Sequence, residues 1–198
     1  MTRLPVAPFL ASLLLAAPLA GCIADVTDEA EPGITEQEIV DTTGVAEEPR
    51  QPGPLSIVYH HQIAIHADLD RVWDLIIDMP RYADWNPWIV YGRGEATPGA
   101  RVPVGVVLNG HVLDMAYIIQ VVEPETRFCT RDDAWFSGLI YGARCRTLTV
   151  QPDGSVVYAQ ELLVDGIFSG FADLTFGKAT RDGMAAEAEG LKAAAEAP

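Results

Sequence analysis

Two apolar runs that alternate with a period of two, Val102 to Leu108 and Val112 to Val122, meet at Asn109-Gly110. A tight type I′ turn needs positive φ at both central residues, and asparagine followed by glycine meets that need at the least steric cost. The pair predicts an antiparallel hairpin, which commits this part of the chain to a sheet built from sequence-adjacent strands. Two more alternating runs come next, Thr126 to Ala134 and Gly142 to Gln151. A second turn at Pro152-Asp153-Gly154 then leads into Ser155 to Val164, so the central part of the chain reads as a meander.

Ahead of the meander the period switches. Ile57, Tyr59, His61, Ile63 and Ile65 fall on one face of a strand, with Val58, His60, Gln62 and Ala64 on the other. Val72, Leu75, Ile76 and Met79 then recur at helical spacing, with Asp68 and Asp70 at the positive end of the helix dipole. Pro80 stops that helix, and an aromatic-rich loop leads to a strand around Ile89 to Glu95. After the meander, Phe168, Phe171, Leu174, Met184, Ala188, Leu191 and Ala195 predict a long C-terminal helix, weakened by Gly170, Gly177, Gly183 and Gly190. Residues 55–198, roughly 145 in number, suit one domain with one core.

The stretch IHADLDRVWDLIIDMPRYADWNPWI, with a meander and a terminal amphipathic helix after it, resembles the START/Bet v 1-like (SRPBCC) superfamily. More narrowly it is similar to the polyketide cyclase/dehydrase-like branch, with Ala-x-x-x-x-Val-Trp ending at Trp73 and Tyr-x-x-Trp-Asn-Pro beginning at Tyr82. Asp68 departs from the proline of many relatives, and either residue suits a helix start. The resemblance implies an α+β helix-grip fold: a curved antiparallel sheet of about six or seven strands wraps the C-terminal helix and leaves an apolar cavity between them. It carries over no catalytic residue, because the pocket residues of related cyclases differ among members.

Alternation sets the candidate site. His111, Leu113, Met115, Tyr117, Ile119 and Val121 share a face opposite Asp114 and Gln120 and are expected to point inward. Phe128, Leu148 and Val150 on the next hairpin would bring Thr130, Asp132, Arg144 and Arg146 to the same side. The ligand-binding candidates are Trp85, Trp88, His111, Leu113, Met115, Tyr117, Phe128, Arg146, Phe168 and Phe171, a mostly apolar set with a few polar groups. For the aliphatic members and Met115, ordinary core packing is the favoured account, because any domain of this size needs such a core. Trp135 and Phe136 form a possible second rim. His60 and His61 point to opposite faces of one strand and do not converge on a metal; no metal, cofactor or catalytic residue is assigned.

The N-terminal region sets the expected compartment. Arg3, an apolar core from Phe9 to Leu19 and the small pair Ala20-Gly21 have the order of a secretory signal, and Leu4 to Ala20 contains three prolines and falls short of the about 20 apolar residues a spanning helix needs. Leu19-Ala20-Gly21-Cys22 resembles a bacterial lipobox. That resemblance makes residues 1–21 a lipoprotein signal and Cys22 the lipid-bearing first residue. Ile23 stands where an aspartate would imply retention at the inner membrane, which points to the outer membrane of a bacterial cell envelope. Residues 22–54 carry many Asp and Glu, four prolines and one arginine, Arg50, and read as an acidic disordered tether, with Thr35 and Glu38 fitting a marginal capping box. In an exported chain Cys129 and Cys145, equally far from Ser137, sit where a cross-strand disulfide is reachable; two free thiols remain the alternative.

A net charge of -15 disfavours nucleic-acid binding, which needs clustered Lys and Arg. Three readings remain: an envelope lipoprotein holding a hydrophobic small molecule or lipid, a cyclase- or dehydratase-like enzyme using the same cavity, and a packed interaction domain without ligand. Export favours the first, since polyketide intermediates are carried by cytoplasmic machinery. The sequence leaves the oligomeric state open.

Overall fold

A computed structural model of the chain describes residues 47–133 and 139–198. Cys22, the signal, the tether up to residue 46, and Trp135 and Phe136 lie outside the described residues. The elements run β1 (Ile57–Ile65), α1 (Leu69–Ile77), a 3₁₀ helix (Met79–Asp84), β2 (Ile89–Gly92), β3 (Arg101–Leu108), β4 (His111–Glu123), β5 (Arg127–Asp132), β6 (Tyr141–Val150), β7 (Val156–Asp165) and α2 (Ser169–Glu196). All seven strands form one antiparallel sheet in the order β1-β7-β6-β5-β4-β3-β2, a curled half-barrel gripping α2. This is the helix-grip α+β fold. Among the described residues no helix is long and apolar enough to cross a membrane.

The Asn109-Gly110 turn joins β3 to β4 with φ of 50° and 78°, and Leu108 pairs with His111 directly across it. Helix α1 ends at Ile77, and Pro80 occupies the first turn of the 3₁₀ helix after it, a position that needs no backbone N–H. Asn86 accounts for part of the Tyr-x-x-Trp-Asn-Pro segment. Its Oδ1 accepts from the backbone N–H groups of Trp88 (3.0 Å) and Ile89 (2.8 Å), which fixes the entry into β2. Tyr82 donates to the Ile76 carbonyl at 2.5 Å, tying the 3₁₀ helix to α1.

The concave face carries the side chains expected of β1, namely Ile57, Tyr59, Ile63 and Ile65, which pack into the main core. Near the C-terminal end of α2, Ala188, Leu191 and Ala195 are buried in the same cluster as Val72 and Ile76 of α1. The convex face holds a small second cluster of Tyr141, Ala143 and Leu163.

Two expectations about faces are corrected. Val121 does not point inward, because a register shift between Ile119 and Val121 opposes them to Thr130 and Cys129. The extra residue of such a bulge moves the next side chains along the strand to the other side of the sheet. Val122, opposite Phe128, joins the core in its place. Val150, paired with Val156 at the last position of β6, is 55% exposed rather than part of the inner wall.

The helix glycines also have a more definite role than weakening α2, which runs unbroken from Ser169 to Glu196. A Cβ on Gly183 would collide with the Trp88 indole, and one on Gly190 with the Trp85 carbonyl. Missing side chains at these positions let α2 lie directly on the Trp85–Trp88 loop.

Residues 47–52 lie along the convex face. Glu47 pairs with Arg131 (3.7 Å), Glu48 with Arg127 (3.4 Å), and the Arg50 guanidinium stacks on the Tyr141 ring at 4.0 Å.

Candidate functional site

Between the concave sheet and the N-terminal half of α2 lies a cavity of about 250 Å³. Its walls come from the sheet, from Trp88, and from Ala172, Phe176 and Thr180 of the helix. Leu113, Met115 and Tyr117, expected from alternation, do line it, as does Trp88 of the aromatic-rich loop. Leu113 is 39% exposed and marks the outer end.

The other candidates are elsewhere. His111 is exposed beside the β3–β4 turn and is absent from the lining. Phe128 is fully buried in the core and does not reach the cavity. Trp85 packs edge-on against Tyr82, with ring centroids 5.2 Å apart, away from the cavity lining. Phe168 and Phe171 face outward, 47% and 66% exposed. The helix face that meets the cavity is instead Ala172, Phe176 and Thr180, offset from the larger side chains that suggested the inner stripe.

Arg146 is corrected most clearly. It is sealed in the fold and lies outside the cavity lining, because it is committed to Glu187 of α2. Its Nε donates to Glu187 Oε1 at 3.0 Å. The same carboxylate accepts from Arg144 Nη1 at 2.9 Å, Tyr158 Oη at 2.8 Å and Asn86 Nδ2 at 3.1 Å. Glu187 is completely buried, and four donors from three separate segments converge on it. A carboxylate in that position is tolerable only with such compensation. Burial pushes the Tyr82 hydroxyl up to about 12 and raises Tyr158 and Tyr117 as well, so these phenols stay neutral at neutral pH, Tyr82 and Tyr158 as hydrogen-bond donors.

The concave surface therefore has three zones along α2. Apolar walls and Tyr59, Thr130, Asp132 and Arg144 surround the cavity. Behind them sits the Glu187 cluster, and beyond that a solid apolar core. Asp132 projects into the cavity zone and accepts from the Gly142 backbone N–H at 3.0 Å. Burial raises its carboxyl above the ordinary aspartate value, against the lowering effect of that hydrogen bond and of Arg131. Tyr59 donates to Asp173 at 2.7 Å, latching β1 to the first turns of α2; burial, then this hydrogen bond, lift its hydroxyl to about 12. Thr130, Asp132 and Arg144 come from the same alternation that placed Phe128. Glu187 carried no local signal, since its partners are distant in sequence.

On the convex side, Cys129 and Cys145 stand directly opposite each other in the β5–β6 register, and their sulfurs are joined. The strap of residues 48–52 borders the groove that contains Cys145.

No protein-family model and no curated protein sequence matches the chain. Solved structures do. The di-domain ARO/CYC protein BexL aligns with a TM-score of 0.57 at 16% identity, covering 73% of this chain and 51% of BexL; the chain thus spans about half of that protein. Norcoclaurine synthase from Thalictrum flavum, in complex with dopamine and hydroxybenzaldehyde, aligns with a TM-score of 0.57 at 13% identity over 74% of this chain and 95% of the synthase. A START superfamily protein from Mycobacterium smegmatis gives 0.54 at 12% identity, over 70% of this chain and 97% of its own. At these identities the likeness is one of fold, the helix-grip arrangement of a curled antiparallel sheet around a C-terminal helix.

Proposed function

We propose that this protein is a bacterial envelope lipoprotein, anchored through Cys22, whose domain holds a hydrophobic small molecule between sheet and helix. The observation that carries the reading is the cavity of about 250 Å³ under the N-terminal half of α2. An apolar cavity of about 150 Å³ already accepts benzene, so this one has room for a larger, two-ring or chain-like molecule. Norcoclaurine synthase, of the same fold, holds small aromatic molecules, which supports the reading. The Leu19-Ala20-Gly21-Cys22 segment supports the anchor, and Ile23 the outer membrane.

A second reading, a cyclase- or dehydratase-like enzyme, is favoured by Asp132, whose raised carboxyl faces the same cavity as Arg144. A poised acid near a fixed cation is what proton transfer to an oxygenated substrate requires.

Native mass spectrometry of the purified chain carrying Cys22→Ser tests the main reading. The expected spectrum shows the protein mass plus an apolar molecule that collisional activation removes. A bare chain that also fails to take up apolar fluorescent probes would leave the packed interaction domain as the remaining reading.

A further inference from the structure

The buried charges behind the cavity do not balance. Two guanidiniums, Arg144 and Arg146, face one carboxylate, Glu187, and the nearby tyrosines stay neutral. Arg146 spends its Nε on Glu187. Arg144 spends Nη1 on Glu187 at 2.9 Å and shares it with Gln160 Oε1 at 3.4 Å. The Arg144 guanidinium also lies over the Trp88 ring at 4.7 Å. Its Nη2 has no hydrogen-bond partner among the described residues, and neither do Nη1 and Nη2 of Arg146. Of the two arginines only Arg144 lines the cavity, and it does so while only 4% exposed. A buried cationic donor left without a partner costs more than the hydrogen bond it would make, so this wall of the cavity is built for an acceptor that the ligand brings.

We propose that the cavity takes a carboxylate-bearing amphiphile, its apolar body against Leu113, Met115, Leu162 and Phe176 and its carboxylate on Arg144 Nη2 at the inner end. The proposal rests on the small-molecule reading above and specifies the chemistry of that ligand. The added negative charge balances the second guanidinium, and Thr130, paired with Arg144 across β5 and β6 and lining the cavity, offers a hydroxyl beside the same spot. Asp132, two residues along β5 from Thr130, is the competing charge. Its position orders the ligand, because an anionic head is repelled from the Asp132 level and attracted beyond it.

Calorimetric titration of the full chain carrying Cys22→Ser with 2-naphthoate and with uncharged 2-ethylnaphthalene tests this. The expected result is at least tenfold tighter binding of naphthoate. In Arg144→Met the ratio of the two affinities should collapse to within about threefold, since charge-assisted hydrogen bonds supply the difference. Should Arg144→Met not fold, Asp132→Asn serves instead: it keeps an acceptor for Gly142 and removes the competing charge, so the ratio should rise severalfold, and an unchanged or lower ratio overturns the proposal. Equal affinities in the unmodified cavity overturn the carboxylate proposal and leave the small-molecule reading standing. Binding of neither compound overturns both.

Discussion

Arg146 Nε lies 3.0 Å from Glu187 Oε1, with both side chains shut away from solvent. Removing the carboxylate leaves two guanidiniums buried without a counter-charge, and breaking such a pair from one side costs about 3–5 kcal/mol. Glu187→Gln should therefore lower the urea midpoint sharply without changing the denaturant slope. A loss below about 1 kcal/mol would mean that Arg144 and Arg146 reach water, contrary to the sealed geometry.

The cross-strand bond between Cys129 and Cys145 closes a loop with a sequence separation of 16. For a loop near that size the chain-entropy account gives about 3 kcal/mol. Intact mass after alkylation without reductant should show no label at either site, and the Cys129→Ser, Cys145→Ser double variant should be destabilised by roughly that amount. Label at both positions in the native protein refutes the bridge.

Cys22→Ser should move the protein from the membrane fraction to the soluble fraction. Acyl chains contribute about 0.8 kcal/mol per buried methylene, and two or more hold a protein stably. Retention equal to that of the unmodified protein rules out lipid anchoring at Cys22.

Met115 is half-buried at the cavity wall, so Met115→Trp should fill empty space. Binding of an apolar fluorescent probe should disappear with little change in stability. Overpacking a solid core would instead cost about 1–3 kcal/mol, and that outcome, with probe binding retained, contradicts the cavity.

Asp132 gives a pH dependence of definite sign. Its folded pKa is raised above the ordinary value of 3.8, so between these two values the folded state holds more protons than the unfolded one. Its contribution to stability is therefore fully present below the unfolded pKa and is lost as pH rises through the folded value. Asp132→Asn should be more stable than the unmodified protein at pH 7, with the difference shrinking under acid. A difference independent of pH would show that Asp132 titrates normally.

The legibility of the sequence tracked the range of the interactions involved. Asn109-Gly110 and the alternation of Ile57 to Ile65 are local, and they placed the hairpin and the inner face of β1 correctly. The face of Val121 was lost at a bulge, which inserts one residue without any signature in the apolar pattern. Phe168 and Phe171 misled because α2 is apolar on more than one side, and size marked the exposed side rather than the buried one, which is small: Ala172 and Thr180 beside a single large Phe176. Glu187 was invisible for a different reason. Its partners, Asn86, Arg144, Arg146 and Tyr158, are gathered only by the closed sheet, so Arg146 looked free to hold a ligand.

The strand order has a consequence in time. β1 and β2 are neighbours in sequence yet occupy opposite edges of the sheet, and β1 finds its strand partner in β7, with Ile57 opposite Val164. Pairings over such separations form late, because the intervening chain must be closed into a loop first. During synthesis from the N-terminus, the leading strand must wait, unpaired, until nearly the whole chain has emerged. The hairpins from β2 to β7 can pair as their strands appear, so the first strand made is the one that closes the sheet last.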